Sequence, residues 1–319
     1  MSTAPETLML HTVSNSRWTD ATALRAAIED QLPDLSLRVA RTPDESRERV
    51  ESAEVVVTTS LPDDVLGRAE DLRWVQALSS GVDFFDFETL RERDVALTNV
   101  AGVHAEPIAE QVLGYLLAFE RGIVEGMRNQ HRGVWERYEG GELRGKTLGI
   151  VGLGAVGTRT AELGRAFGMT VLATKRDPST APDVVDDVYG PDGLHEALIE
   201  SDYVVVACPL TADTRGLVGR EELGCMKGSA VLVNVARGPI VDEAALTEGL
   251  QQRVIRGAAL DVFEHEPLPQ ESPLWDLSNV VLTPHMAGSS PAKTSRTADV
   301  FAENYAAYRD GRDLPTRVV

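Results

Sequence analysis

The stretch GKTLGIVGLGAVGTRTAELGRAFG, residues 145–168, decides the fold of the segment around it. Its apolar run at 148–151 indicates a buried strand, and Gly152, Gly154 and Gly157 follow in Gly-x-Gly-x-x-Gly order before a helical pattern opens. In this motif the first glycine permits a tight turn, the second lets a pyrophosphate approach the backbone, and the third allows close helix–strand packing. Because another apolar run follows at 169–174, we predict a βαβ unit whose helix N-terminus binds a dinucleotide.

The end of the second strand bears on which dinucleotide is bound. A protein that prefers NAD carries Asp or Glu about twenty residues beyond the glycines, where the carboxylate binds the adenine ribose 2′-hydroxyl. Here Thr174 is followed by Lys175 and Arg176, two cations suited to a 2′-phosphate. We therefore predict NADP(H) as the preferred cofactor. NAD(H) is the alternative if the Asp177 carboxylate turns inward or if the two cations are only solvated surface groups.

Short apolar, β-branched runs alternate with amphipathic stretches of helical length, the pattern of parallel sheets covered by helices. It predicts an α/β protein of two doubly wound parallel-sheet domains, Rossmann- or flavodoxin-like, with an active-site cleft between them. We expect residues 1–101 and 289–319 to form a substrate-binding domain and residues 102–288 to form the dinucleotide-binding domain. A long connecting helix is predicted over 106–135 and a final helix over 291–310. The predicted strands lie at 8–13, 35–39, 54–58, 74–77 and 96–99, then from 147 and at 170–175, 203–207, 230–235, 258–262 and 280–283.

The charge balance limits the class of partner. Fifty acidic against 31 basic residues give a formal net charge of −19, which argues against nucleic acid and anionic membranes. Only four of the basic residues are lysines. Salt screens the self-repulsion of so acidic a chain, so we expect a halophilic source, a hypothesis that unfolding curves at low and at molar KCl test. Two cysteines build no disulfide framework, and without a leader or a membrane span we expect a cytoplasmic enzyme.

Three polar side chains follow late apolar strands, at the sheet edge where open α/β sheets bind their ligands. They are Arg237 in VNVARGPIVDEAAL, Glu266 in ALDVFEHEPLP and His285 in NVVLTPHMAGSS. An arginine holds the carboxylate of a 2-keto or 2-hydroxy acid in its planar fork, and a histidine exchanges the proton that accompanies hydride transfer at C2. A carboxylate on the other ring nitrogen fixes the tautomer and raises the histidine pKa. Each residue singly also fits a structural role, and no metal site is expected from the neighbouring Glu264 and His265.

These residues resemble the D-isomer-specific 2-hydroxyacid dehydrogenase family, which includes glyoxylate and hydroxypyruvate reductases. The resemblance covers nearly the whole chain, through SSGVD, NVAGVHAEPIAEQ, GKTLGIVGLGAVG, CPLT, NVARGPIVDEAAL, DVFEHEPLP and TPH. It implies that Arg237 binds substrate, that His285 is the catalytic acid/base, and that Glu266 is the partner of His285. It also implies homodimers formed through the cofactor domain and the helix after residue 105.

The resemblance also assigns binding residues beyond the catalytic three. Ser80, Gly81 and Val82 would form a backbone nest for the substrate carboxylate, which Arg237 and His285 also contact, and Asp261 would contact the nicotinamide side of the cofactor. The remaining residues expected to line the cofactor site are Leu153, Ala155, Val156, Cys208, Pro209, Thr214, Val235, Ala236 and Gly288, with Arg237 and His285 at its edge.

Two alternatives of function stay open at this point. One is a cofactor-sensing binding protein on the same scaffold, similar to the C-terminal-binding-protein corepressors. The other is a related formate, phosphite or phosphoglycerate dehydrogenase. The identity of the 2-keto acid is not encoded in these motifs, because loop shapes near Ser79, His104 and Met286 discriminate between substrate side chains.

Overall fold

The computed structural model describes residues 5–14 and 19–319, which divide into two compact units. One unit contains the residues up to His104 together with Ser289–Val319, and the other is Ala105–Gly288. The first expected boundary, after residue 101, thus falls just before the observed one. Within the described ranges, no helix has both the length and the apolar character needed to cross a membrane.

Twelve strands and twelve α-helices are found among the described residues. The strands are β1 Thr7–Met9, β2 Leu37–Val39, β3 Val55–Thr58, β4 Trp74–Ala77, β5 Ala96–Thr98, β6 Thr147–Val151, β7 Thr170–Thr174, β8 Asp187–Tyr189, β9 Tyr203–Val206, β10 Val231–Asn234, β11 Gly257–Leu260 and β12 Val280–Leu282. The helices are α1 His11–Ser14, α2 Ala21–Gln31, α3 Pro43–Arg49, α4 Asp63–Leu66, α5 Phe87–Glu92, α6 Ala105–Glu120, α7 Ile123–His131, α8 Ala155–Ala166, α9 Leu194–Glu200, α10 Arg220–Cys225, α11 Glu243–Gln251 and α12 Lys293–Arg309.

The first unit is built on a five-stranded parallel sheet of order β2-β1-β3-β4-β5. The predicted strand at 8–13 is wrong in its second half, because the strand ends at Met9 and α1 begins at His11. The N–H of His11 donates to the Ser46 hydroxyl instead of to a neighbouring strand. Helix α12 belongs to this unit because Phe301 packs in one core with β-strand side chains and stacks on Trp74 at a centroid distance of 5.5 Å.

The second unit has a seven-stranded parallel sheet of order β12-β11-β10-β9-β6-β7-β8. Side chains along β9 alternate between two hydrophobic cores: Tyr203 and Val205 enter one, and Val204 and Val206 enter the other. Both faces of the sheet are therefore covered, which confirms the predicted doubly wound architecture. The chain reverses its winding direction between β6 and β9. Strand β8 was missed because a three-residue edge strand that begins with an aspartate has no long apolar run.

The single long helix predicted over 106–135 is wrong, because α6 ends at Glu120 and α7 starts only at Ile123. Gly122 adopts a left-handed φ of +64°, which interrupts the helical hydrogen bonds. The carbonyl of Glu120 accepts the N–H of Gly141 instead of an N–H from a next helical turn. The apolar positions keep helical spacing on both sides of the break, so periodicity alone did not reveal it.

The three glycines between β6 and α8 differ in what surrounds them. Gly152 has a φ of +101°, and a Cβ there would lie 2.6 Å from the backbone nitrogen of Cys208. A Cβ on Gly157 would lie 2.2 Å from the carbonyl oxygen of Gly152. A Cβ on Gly154 would have no described atom within 4 Å. Gly152 and Gly157 are therefore required by the fold itself, whereas Gly154 is not.

We expect Gly157→Ala to lower the free energy of unfolding by about 2 to 3 kcal/mol, because the added methyl group overpacks a backbone contact. Gly154→Ala should cost about 1 kcal/mol or less, the scale of a change at a helix N-cap. Urea unfolding of both variants measures the difference, with Gly224→Ala in α10, another open position, as the control. Equal losses at Gly154 and Gly157 would contradict this assignment.

Candidate active site

His285 and Glu266 form the centre of the candidate site. The His285 Nδ1 lies 2.7 Å from the Glu266 Oε2, and the other carboxylate oxygen accepts the N–H of Phe263 at 3.1 Å. Glu266 follows β11 and His285 follows β12, two neighbouring parallel strands. Their carboxyl ends meet at one edge of the sheet, so the loops that carry the two side chains start side by side.

The loop that carries His285 is held by hydrogen bonds to Asp261, a residue that is only 2% exposed. Its two carboxylate oxygens accept the N–H groups of Met286 and Ala287, each at 2.9 Å. Its backbone carbonyl accepts the N–H of His285 at 2.8 Å. His285 itself has a φ of +51°, which is uncommon for a residue other than glycine and requires such support. The expected contact of Asp261 with the nicotinamide stays a prediction.

Arg237 begins the turn that follows β10. The side chain of Asn234 fixes this turn, because its amide donates to the Arg237 carbonyl at 3.0 Å and its oxygen accepts the N–H of Ala236 at 3.1 Å. The next residue, Gly238, lies against the backbone between Phe263 and Glu264, where a Cβ would be 1.9 Å from the Phe263 carbonyl carbon. The loop of Arg237 therefore packs directly on the loop of Glu266. Sequence reasoning missed Gly238, because glycine is common in loops for purely conformational reasons.

The charges of the three side chains act on one another. The hydrogen bond that His285 donates to Glu266 raises the pKa of His285 above its ordinary value, against the opposing effects of burial and of the Arg237 charge, while Asp261 adds to the increase. Burial alone would raise the pKa of Glu266, but hydrogen bonds from His285 and the Phe263 N–H and the charges of His285 and Arg237 lower it. Both shifts favour an imidazolium–carboxylate pair. Arg237 thus lies close enough to influence both partners.

The glycine turn fits the pyrophosphate of a dinucleotide. Gly154 is the N-cap of α8, and the space where its Cβ would stand is open among the described residues. A phosphate can therefore approach the first-turn N–H groups, which also present the positive end of the helix dipole. Three further residues predicted to line the cofactor site lie here: Leu153 is in the turn, and Ala155 and Val156 are the first two residues of α8.

Lys175 and Arg176, the cations expected to bind the 2′-phosphate of NADP(H), lie at the end of β7, directly after the buried Thr174. The Lys175 ammonium donates to the Leu153 carbonyl at 3.0 Å, which places a positive charge beside the glycine turn. Arg176 is exposed. The Asp177 carboxylate accepts the N–H and the hydroxyl of Ser179, at 3.1 and 2.6 Å, and so is engaged in its own turn.

The other predicted cofactor residues lie on loops at the same sheet edge. Burial raises the pKa of the Cys208 thiol to about 11, so the thiol is neutral at ordinary pH. Thr214 donates to the carbonyl of Pro209 at 2.7 Å and shapes the loop after β9. The remaining members are Val235 and Ala236, directly after β10, and Gly288, the last residue of this unit.

The predicted substrate nest lies in the first unit, in the loop after β4. The Ser80 hydroxyl donates to the Val100 carbonyl at 3.1 Å, and the Asn99 amide donates to the Ser80 carbonyl at 2.7 Å. Gly81 and Val82 follow in the same loop. Their contact with a substrate carboxylate stays a prediction.

Comparison with known proteins shows which family the chain resembles in sequence. A family model described as "D-isomer specific 2-hydroxyacid dehydrogenase, NAD binding domain" matches residues 113–287. The chain is 39% identical over 274 residues to the glyoxylate reductase of Aeropyrum pernix, covering 82% of this chain and 81% of that protein. It is 35% identical over 283 residues to the D-3-phosphoglycerate dehydrogenase of Methanocaldococcus jannaschii, covering 86% of this chain but only 53% of that protein. The chain thus spans about half the length of that relative.

A solved structure extends the likeness to the three-dimensional fold. The D-isomer specific 2-hydroxyacid dehydrogenase of Xanthobacter autotrophicus Py2, in complex with NADPH and MES, matches with a TM-score of 0.87 and 32% identity, covering 99% of this chain and 98% of that one. With the glycine turn and the histidine–glutamate pair in place, the chain belongs to the D-isomer specific 2-hydroxyacid dehydrogenase family and is an NAD(P)-dependent oxidoreductase.

Proposed function

We propose that this chain reduces a small 2-keto acid to the D-2-hydroxy acid, with NADPH as the preferred coenzyme. The observation that carries the proposal is the hydrogen-bonded pair of His285 and Glu266, on which the charge of Arg237 acts, at the sheet edge that also bears the glycine turn. This arrangement supplies one proton donor and one carboxylate-binding cation.

Each side chain has a defined part in the reaction. The Arg237 guanidinium holds the substrate carboxylate and polarises the C2 oxygen, assisted by the backbone of Ser80–Val82. Because the Nδ1 of His285 is engaged with Glu266, its Nε2 is the atom that gives a proton to the C2 oxygen. Glu266 stabilises the protonated ring and fixes its orientation. When bound, the reduced nicotinamide supplies the hydride that C2 accepts. In the direction of oxidation, neutral His285 removes the hydroxyl proton.

We propose glyoxylate and hydroxypyruvate as the first substrates to examine. A relative that the chain covers over most of its length is named glyoxylate reductase, and neither substrate requires a large pocket. A phosphoglycerate dehydrogenase activity is the second candidate, supported only by a relative of which this chain covers about half. A cofactor-sensing binding protein would show no turnover.

The direct test is a rate screen of the purified chain with glyoxylate, hydroxypyruvate, pyruvate and branched 2-keto acids, using NADPH and NADH. We expect turnover with at least one small 2-keto acid. His285→Ala should lower kcat by about a hundredfold or more while cofactor affinity changes little, because the side chain acts on the chemical step. His195→Ala is the matched control, since His195 also pairs with a glutamate, Glu222, at 3.1 Å. Near-full turnover in His285→Ala would refute the proposed role.

The pH dependence follows from the raised pKa of His285. Reduction needs the protonated ring, so reductive kcat/KM should be high at low pH and fall as the pH rises through a value above that of an ordinary histidine. Oxidation should rise through the same value. Glu266→Gln removes the charge that raises this pKa, and the fall should then begin at lower pH. Glu222→Gln is the control, and a profile that moves equally in both variants would contradict the assignment.

The coenzyme preference depends on the charge at the end of β7. We expect a higher kcat/KM with NADPH than with NADH, and Lys175→Ala should lower the NADPH value about tenfold with little effect on NADH, because it removes a charge-assisted bond to the 2′-phosphate. Lys227→Ala is the control, since its ammonium pairs with Asp202 at 3.0 Å. A clear preference of the unmodified chain for NADH would end this part of the proposal.

A further inference from the structure

A relay of two hydrogen-bonded hydroxyl groups connects helix α6 to the buried carboxylate of Asp261, which supports the loop of His285. The hydroxyl of Tyr115, a residue only 3% exposed, is hydrogen-bonded to the Thr283 hydroxyl. The Thr283 hydroxyl is in turn hydrogen-bonded to the Asp261 Oδ1. All of these groups belong to the second unit. The reaction steps above use none of these hydroxyls.

The number of hydroxyl protons determines which group donates and which accepts in each of these hydrogen bonds. Both carboxylate oxygens of Asp261 already accept backbone N–H groups, so the Thr283 hydroxyl donates to Asp261. Because Thr283 has one hydroxyl proton, Tyr115 must be the donor in the bond between the two hydroxyls. The phenolic oxygen of Tyr115 also interacts with the side chain of Gln111, whose amide can donate to it. The relay therefore runs from Tyr115 through Thr283 to Asp261.

Asp261 connects this relay to the loop that carries His285. Its carboxylate and its backbone carbonyl together accept the N–H groups of three successive residues, His285, Met286 and Ala287. His285 is held in the left-handed region by these bonds. The Asp261 carboxylate thus accepts three hydrogen bonds, two from backbone N–H groups and one from the Thr283 hydroxyl. Rotation of the carboxylate would break all three, so these bonds restrict its orientation.

We propose that Tyr115 and Thr283 are positioning residues for the acid/base, which hold the Asp261 carboxylate in the one orientation that presents His285 to Glu266. This inference rests on the proposed function of His285 in proton transfer. Neither residue touches the reacting atoms. A purely structural role, in which the relay only satisfies buried hydroxyl groups, would change stability without changing the titration of His285.

The test compares Tyr115→Phe, Thr283→Val and the double variant with the unmodified chain. Thr283→Ser keeps the hydroxyl and tests rescue. Tyr203→Phe is the matched control, because the Tyr203 hydroxyl also bonds a buried carboxylate, that of Glu120, but at the amino end of its strand. Two readouts are measured: kcat and KM for the best 2-keto acid, and the pKa of the His285 imidazole by NMR, assigned among the six histidines with His285→Gln.

We expect Tyr115→Phe to lower kcat about fivefold and Thr283→Val about tenfold or more, with KM little changed. The imidazole pKa should fall toward the ordinary histidine value in both variants, because a loosened loop weakens the bond to Glu266. The double variant should be no worse than Thr283→Val if the hydroxyls act as one unit. Thr283→Ser and Tyr203→Phe should resemble the unmodified chain.

The proposal is overturned if Tyr115→Phe and Thr283→Val match Tyr203→Phe in both kcat and imidazole pKa, or if they lose stability while the titration of His285 stays unchanged. The NMR titration does not require turnover. If the chain reduced no 2-keto acid, the proposed function would fail, whereas a lowered His285 pKa in the two variants would still show that the relay positions the ring.

Discussion

The shared direction of the seven strands in the second unit is the constraint on which the candidate site depends. In a parallel sheet every strand ends at the same edge, so the loops after β6, β7, β10, β11 and β12 leave the sheet together. The glycine turn, the cations after β7 and the three side chains proposed to take part in the reaction all lie on these loops. Residues separated by more than a hundred positions in the chain are thereby brought to one edge.

Close approach of backbones is what gives these loops their fixed shapes. Gly152 lies against Cys208, Gly157 against Gly152, and Gly238 against the segment between Phe263 and Glu264. At Gly152 and Gly238 a side chain would push two loops apart, and at Gly157 it would push α8 away from the turn before it. The glycines therefore hold the cofactor turn against the loop after β9, and the arginine loop against the glutamate loop, with backbone in contact with backbone.

Charge then determines what the assembled site can do. The Glu266 carboxylate keeps a proton on His285 to a higher pH than an isolated histidine would, and Arg237 opposes this shift while offering a cation to an anionic substrate. The balance suits the role proposed for His285, in which the ring gives its proton to a developing alkoxide and takes it back in the reverse direction.

Much of this could be predicted from the sequence. Apolar runs located eleven of the twelve strands found in the described part of the chain, because buried parallel strands are continuous stretches of β-branched residues. The motifs named the glycine turn and the family and predicted the reacting residues, because their residue types and spacing are set by local chemistry. The break at Gly122 and the helix at His11–Ser14 were not predicted, since a left-handed glycine and a hydroxyl partner 35 residues away leave no periodic signal.

The sequence by itself determined the fold class and the family, and it predicted the dinucleotide turn, the acid, its carboxylate partner and the arginine. Only the tertiary structure showed that Gly238 lets the Arg237 loop pack on the Glu266 loop. It also showed that Tyr115 and Thr283 are hydrogen-bonded in sequence to the Asp261 carboxylate. The physical reason is distance along the chain. A motif encodes contacts made within a few residues, whereas Tyr115 and Thr283 are 168 positions apart and meet only when a helix packs on the sheet.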